Sequence, residues 1–297
     1  MKDTFSTYHP IINFLYFMLV VSLSMFLMHP LCLLLALAGA FAYSVYLKGR
    51  RAFLFGLKFM LPTMALTALM NPVFNHKGAT ILTYWPDGNP LTWESIAYGI
   101  AAAAMLATVV CWFSCYNEIM TSDKFVYLFG RVIPSLSLLF SMVLRFVPRF
   151  KKQMQSVSDA QKCIGRDASR GNLWERIRHG IRMLSIMVTW MLENAVDTAD
   201  SMKGRGYGLK GRTAFSLYRF DSRDMIALAV ILLAGGYVLL AGCIMGGLSF
   251  RYFPSMQGAG PPGLFISLSG VYGLLCAMPL VINIWEDTKW KRLQSGI

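Results

Sequence analysis

Long apolar runs separated by short polar connections dominate the pattern of hydrophobic and polar positions along the chain. Six such runs lie near 11–28, 30–47, 53–72, 95–117, 225–246 and 263–285. Each is close to the roughly 20 residues that a helix needs to cross the hydrocarbon core of a bilayer. The pattern therefore predicts an all-α polytopic membrane protein with about six transmembrane helices.

The segment 119–223 interrupts this pattern with a long polar and amphipathic stretch. Its apolar residues between 173 and 203 recur at spacings of three and four, which places them on one face of a helix. Those residues are Ile181, Leu184, Val188, Met191, Ala195, Ala199 and Met202. A further apolar run, 131–148, either enters the membrane or lies against it. We predict three regions: a membrane domain of four spans over 1–118, a helical cytoplasmic region over 119–223, and two last spans with a cytoplasmic tail over 224–297.

Composition and charge agree with a membrane protein that has one basic region. The chain is 56% hydrophobic and only 14% charged, whereas soluble domains carry roughly 25% charged residues. Of its 28 Lys and Arg, 18 lie in 119–223 together with 8 of the 15 Asp and Glu, so this segment carries +10 of the net charge of +13. We expect the partner of these cations to be the bilayer or a protein, and not a nucleic acid.

The distribution of cations among the connections predicts the orientation. Residues 48–51 contain three cations and the tail after 286 contains three more, whereas 73–94 and 247–262 contain one each. Because cytoplasmic loops are enriched in Lys and Arg, we predict a multi-pass cell-membrane protein whose two termini and segment 119–223 are cytoplasmic.

Residues that could carry catalysis or bind a metal are scattered. The four histidines are far apart in sequence, and no apolar run holds a carboxylate near its middle, where an ion or proton path normally has one. The stretch 206–213, "GYGLKGRT", is one substitution from a phosphate-binding loop, but it follows a helix and not the β-strand that such a loop requires. We therefore predict no catalytic residue, metal site or cofactor. These absences disfavour two functions, a membrane enzyme of lipid or isoprenoid metabolism and a stand-alone secondary carrier, and we keep both as alternative functions.

The most specific signal is the sequence Gly204-Arg205-Gly206 at the end of the amphipathic helix. Glycine commonly ends a helix, and a guanidinium between two glycines can enter a narrow groove and bind a carboxylate at two points. The later cations near 210–223 are also compatible with adhesion to anionic lipid.

Residues 155–213, and above all "DAQKCIG" and "NAVDTADSMKGRGYGLKGRT", resemble the coupling region of the transmembrane T component (EcfT/CbiQ-like) of energy-coupling factor (ECF) transporters. In that family, two motifs with a central Arg dock into two ABC-type ATPases. The resemblance implies that Arg205, flanked by Gly204 and Gly206, is the centre of the second motif. In the first motif, strict alignment places Ile164 at the Arg position. We expect Arg166, two residues later and after Gly165, to take the role of the central Arg and to dock the other ATPase.

The resemblance also implies a function. The chain would be a non-catalytic scaffold that links two ATPases, which hydrolyse the ATP, to a small substrate-binding membrane protein, the S component. Contact with the S component would come from the apolar face of the coupling helix, through Leu184, Val188, Met191, Ala195 and Met202. The cargo, a vitamin or cobalt or nickel, is left open, as is the choice between a shared and a dedicated T component.

Overall fold

The computed structural model describes residues 3–84, 89–130, 134–166, 172–209, 218–259 and 261–295, which form ten α-helices and two short β-hairpins. These residues divide into two compact units. The first comprises residues 1–121 and 218–297, and the second comprises residues 122–217.

The first unit is a bundle of apolar helices. They are α1 (Pro10–Phe26), α2 (Pro30–Lys48), α3 (Arg50–Phe55), α4 (Leu61–Phe74), α5 (Trp93–Ile119), α9 (Ser222–Tyr237) and α10 (Pro262–Ser295). A π-helical turn at Gly56–Met60 joins α3 to α4, and a second one at Val238–Ile244 extends α9. Five of the resulting stretches are long and apolar enough to cross a membrane, and α1, with 17 residues, is a shorter apolar helix. The all-α polytopic fold predicted from the sequence is confirmed.

Local sequence explains how the first two helices begin. Pro10 and Pro30 occupy the first helical turn, where the missing N–H costs no hydrogen bond. The preceding residues, His9 and His29, cap the helices, because the Nδ1 atom of each accepts a hydrogen bond from the backbone N–H two residues later at 3.3 Å.

The core of the first unit combines aromatic rings with small residues. Tyr16, Tyr43, Trp112 and Tyr272 are all fully buried. The Tyr16 hydroxyl donates to the Leu275 carbonyl at 3.0 Å, so its polar end is satisfied inside the bundle. A Cβ added to Gly39 would lie 3.1 Å from the Cβ of Cys276. Small residues therefore allow α2 and α10 to approach closely, as in other membrane bundles.

Two connections form hairpins that the sequence did not predict. β1 (Ile81–Tyr84) pairs antiparallel with β2 (Pro90–Thr92), and β3 (Ser249–Arg251) pairs antiparallel with β4 (Gln257–Ala259). Glu94 at the start of α5 accepts hydrogen bonds from the Thr80 backbone N–H at 3.2 Å and from its hydroxyl at 2.8 Å. This carboxylate fixes the chain that leads into the first hairpin.

The second unit is built from α6 (Ser122–Gly130), α7 (Pro134–Cys163) and α8 (Leu173–Gly204). Asn172 and Glu175 form a capping box at the start of α8. The described part of the apolar run 131–148 is the first half of α7, and residues 131–133 lie outside the described residues. Among the described helices, α7 does not meet the length and hydropathy criteria of a membrane span.

Candidate docking site on the two long helices

The two long helices α7 and α8 pack on each other through one side of α8. Met187 is fully buried there, and Met183, Trp190, Asn194 and Thr198 are partly buried on the same side. The Arg149 guanidinium of α7 lies 5.6 Å from the centre of the Trp190 ring, a cation–π contact between the helices. The polar side chains of this face are satisfied locally, since the Asn194 amide donates to the Trp190 carbonyl at 2.8 Å.

Helix α8 ends in a Schellman motif centred on the predicted arginine. The Gly206 N–H donates to the Lys203 carbonyl at 2.9 Å, and the Tyr207 N–H donates to the Met202 carbonyl at 3.0 Å. These are the two bonds that define the motif, and they require a left-handed residue at Gly206, whose φ is +77°. Arg205 is consequently the C-cap residue, exposed at the end of a 32-residue helix.

Helix α7 ends in the same motif. The Gly165 N–H donates to the Lys162 carbonyl at 3.0 Å, the Arg166 N–H donates to the Gln161 carbonyl at 2.9 Å, and φ of Gly165 is +74°. Position by position, Ile164 is thus the geometric equivalent of Arg205, and Gly165 is that of Gly206. Arg166 corresponds to Tyr207, one residue beyond the glycine. Ile164 is 60% exposed, so one helix end presents an apolar side chain where the other presents a cation.

The two glycines around Arg205 have different roles. A Cβ on Gly204 would meet nothing within 4 Å, whereas one on Gly206 would lie 3.0 Å from Leu209 Cδ1 at a positive φ. We predict that Gly206→Ala destabilises the helix end by about 1–2 kcal/mol. Gly204→Ala should stabilise the helix by about 0.5–1 kcal/mol. Thermal unfolding of the two variants in detergent checks this, and equal effects would contradict the assignment of the cap.

The apolar face predicted on α8 is largely uncovered within its unit. Leu184 is 55% exposed and Met191 is 39% exposed, and Val188 and Ala195 are also exposed. Met202 differs, because α7 runs beside this part of α8 and leaves Met202 partly buried in a cleft between the helices. The structure therefore groups Met202 with the packing side of α8 and not with the exposed face.

The exposed apolar face is wider than the spacing of three and four indicated. Five more large apolar side chains of α8 are exposed. Three are in its first two turns, Leu173, Trp174 and Ile177, and two are farther along, Leu192 and Val196. Leu192 and Val196 each follow a residue of the predicted stripe by one position, which is a rotation of about 100° around the helix. The spacing of three and four omits them, whereas an apolar face wider than 100° includes them. We call the exposed apolar side chains from Leu173 to Val196 the apolar face of α8.

The described residues of this region contain ionic and apolar docking features and no grouped metal ligands. No cluster of three or more His, Cys, Asp or Glu that could hold a metal ion occurs in the described parts of the chain. The nearest charged neighbours along α8 pair with each other, since Lys203 Nζ lies 4.0 Å from the Asp200 carboxylate.

Comparison with known proteins places these features in context. The family described as "Cobalt transport protein", CbiQ, matches residues 4–215. The chain is 31% identical over 219 residues to the "Energy-coupling factor transporter transmembrane protein EcfT" of Listeria innocua, covering 66% of this chain and 81% of that protein. It is 34% identical over 113 residues to the EcfT of Bacillus selenitireducens, covering 38% of this chain and 42% of that protein. It is 27% identical over 177 residues to the EcfT of Staphylococcus aureus, covering 55% of this chain and 65% of that protein.

Proposed function

Because the chain belongs to the CbiQ family of cobalt transport proteins, a family of multi-pass transmembrane components of ECF transporters, we propose that it is the scaffold and energy-coupling subunit of such an importer. It links two cytoplasmic ABC-type ATPases to a membrane S component that binds the cargo. The chain itself hydrolyses no ATP. Both termini and the second unit face the cytoplasm, where the cations are concentrated.

The observation that carries this proposal is the matched pair of helix ends. Two helices of 30 and 32 residues pack together and end in the same Schellman motif. Each motif places a short segment at the end of a long helix, where it can contact one ATPase subunit. The apolar face of α8 supplies a separate surface for the S component.

The ATPase-docking residues we propose are Arg205 with Gly204 and Gly206 at one end, and Gly165 with Arg166 at the other. A guanidinium at a helix end can pair with a carboxylate of the ATPase groove at two points. At the α7 end, Ile164 takes the position equivalent to Arg205, so apolar contact supplies part of the docking there and Arg166 contributes from one residue beyond the glycine.

This difference between the two ends can be measured. Ile164→Asp should weaken capture of one ATPase by roughly tenfold or more, because it desolvates a carboxylate where an apolar side chain docks. Arg166→Gln should have a smaller effect, and Asp159→Asn, on an exposed carboxylate one turn before the helix end, should have none. Pull-down of the ATPases from detergent extracts measures all three, and an Arg166→Gln defect larger than that of Ile164→Asp would assign the docking to Arg166.

The cargo is a vitamin or a cobalt or nickel ion, bound by the S component and not by this chain. The experiment that tests the proposal is affinity purification of the tagged chain from its native membrane, followed by mass spectrometry. We expect two ATPase chains and a small membrane protein to co-purify. A membrane enzyme or a stand-alone carrier would be isolated without ATPases, and that result would refute the proposal.

A further inference from the structure

A cleft of about 1340 Å³ lies between α7 and α8, within the second unit. One part of its wall is apolar and is formed on α7 by Leu138, Met142 and Phe146. The other part is basic and is formed by cations from both helices. A ligand with an apolar part and an anionic part would match both parts of this wall.

The basic part is concentrated on one side of α7. Arg145, Arg149 and Lys152 follow each other at i, i+4 and i+7, so they share a helix face, and all three line the cleft. Arg205 lines it from α8, and Asp197 is the one carboxylate among the lining residues. Four cations against one carboxylate give the lining of the cleft a net charge of +3.

The three cations on α7 are not neutralised by a carboxylate within the described part of the unit. Arg149 contacts the Trp190 ring, and the ion pairs between described residues include none that joins Arg145, Arg149 or Lys152 to a carboxylate. Like charges one turn apart on a helix destabilise it. An anion bound between them would remove this repulsion.

The lining on the α8 side completes an oxygen-binding surface. Asn194, Thr198 and Ser201 also line the cleft. Their amide and hydroxyl groups can donate hydrogen bonds to phosphate oxygens. The Thr198 hydroxyl already donates to the Asn194 carbonyl at 2.6 Å and the Asn194 amide to the Trp190 carbonyl at 2.8 Å. The Ser201 hydroxyl and the second amide hydrogen of Asn194 are the donors that remain on this side.

We propose that this cleft binds an anionic phosphate group, held by Arg145, Arg149 and Lys152, with an apolar tail against Leu138, Met142 and Phe146. An anionic phospholipid supplies both parts, and free phosphate supplies the first part alone. Bound there, the phosphate would contact side chains of both α7 and α8. The site is separate from the proposed ATPase contacts except at Arg205, so the test leaves Arg205 unchanged.

The experiment titrates the delipidated full-length chain in detergent with dioleoylphosphatidylglycerol, with zwitterionic dioleoylphosphatidylcholine and with inorganic phosphate, and measures lipid occupancy by native mass spectrometry. The test variant is the double substitution Arg145→Gln and Lys152→Gln, which spares the Arg149–Trp190 contact. The matched control is Lys151→Gln with Lys162→Gln, which removes two charges from the same helix outside the cleft lining.

We expect phosphatidylglycerol to bind more tightly than phosphatidylcholine, and the test variant to lose roughly fivefold in phosphatidylglycerol affinity per cation removed. The control should bind like the wild type. Displacement of the lipid by inorganic phosphate would identify phosphate as a sufficient ligand, and failure to displace it would identify the lipid as the ligand. Equal binding of the two lipids, or an unchanged affinity in the test variant, would overturn the proposal. Loss of co-purified ATPases with unchanged lipid affinity would also overturn it, because the cleft would then be a protein-docking surface.

Discussion

Arg205→Glu is expected to abolish uptake and to release at least one ATPase. Truncating one partner of a buried interfacial ion pair costs about 2–5 kcal/mol, because the other charge is left without a partner. The new glutamate would also repel the ATPase carboxylate with which we propose that Arg205 pairs. The expected loss of affinity is thus roughly 30-fold or more, and pull-down of the ATPases together with uptake by cells measures it.

The matched control is Lys203→Glu, which makes the same change of charge two residues earlier. Lys203 is highly exposed and pairs with Asp200 on its own helix, and such surface pairs contribute about 0–1 kcal/mol. Arg205→Lys should be tolerated only in part, since an ammonium cannot reproduce the planar two-point contact. If Arg205→Glu keeps both ATPases and full transport, the C-cap of α8 is not a docking element.

Met191→Glu is expected to separate the two partner surfaces. It places a carboxylate on the apolar face of α8, where it removes about 1.5–3 kcal/mol of apolar burial in the complex and adds the cost of desolvating a charge. We expect capture of the S component and uptake to be lost, while the ATPases remain bound. Pull-down from membranes that contain all the subunits distinguishes the two effects.

Glu193→Gln is the control for this substitution. Glu193 is exposed two residues after Met191, so it lies on nearly the opposite side of the same helix. Its change of one charge unit should therefore leave both partners bound. Normal uptake by the Met191→Glu protein at normal abundance would show that the apolar face does not dock the S component.

The helices were predictable from the sequence because their signals are local and strong. Apolar runs of membrane-spanning length and a regular stripe at spacings of three and four depend on neighbouring residues alone. The two hairpins were not predictable, since the strands have three or four residues each. Their pairing depends on tertiary partners such as the Glu94 carboxylate.

The candidate docking site was also only partly predictable from the sequence. Glycine near each helix end was visible in the sequence, but Gly204, Gly206 and Gly165 read alike there. Only backbone geometry identifies Gly206 and Gly165 as the left-handed residues and makes Ile164 the counterpart of Arg205. The position of Met202 was missed for a related reason, because helical spacing alone does not tell where a neighbouring helix begins to cover a stripe.

The central claim is that the two helix ends dock on the two ATPases, so that ATP-driven closure of the ATPase pair changes the distance between these ends. The distance between them can be followed by electron spin resonance with labels on Cys163, at the end of α7, and on Lys203→Cys, at the end of α8. Cys32, Cys111, Cys115 and Cys276 are buried, and Cys243→Ser removes the remaining thiol. In the complete complex, we predict that ATP binding shifts the distance distribution and that the isolated chain shows no ATP-dependent shift. An unchanged distribution in a transport-competent complex would contradict the account.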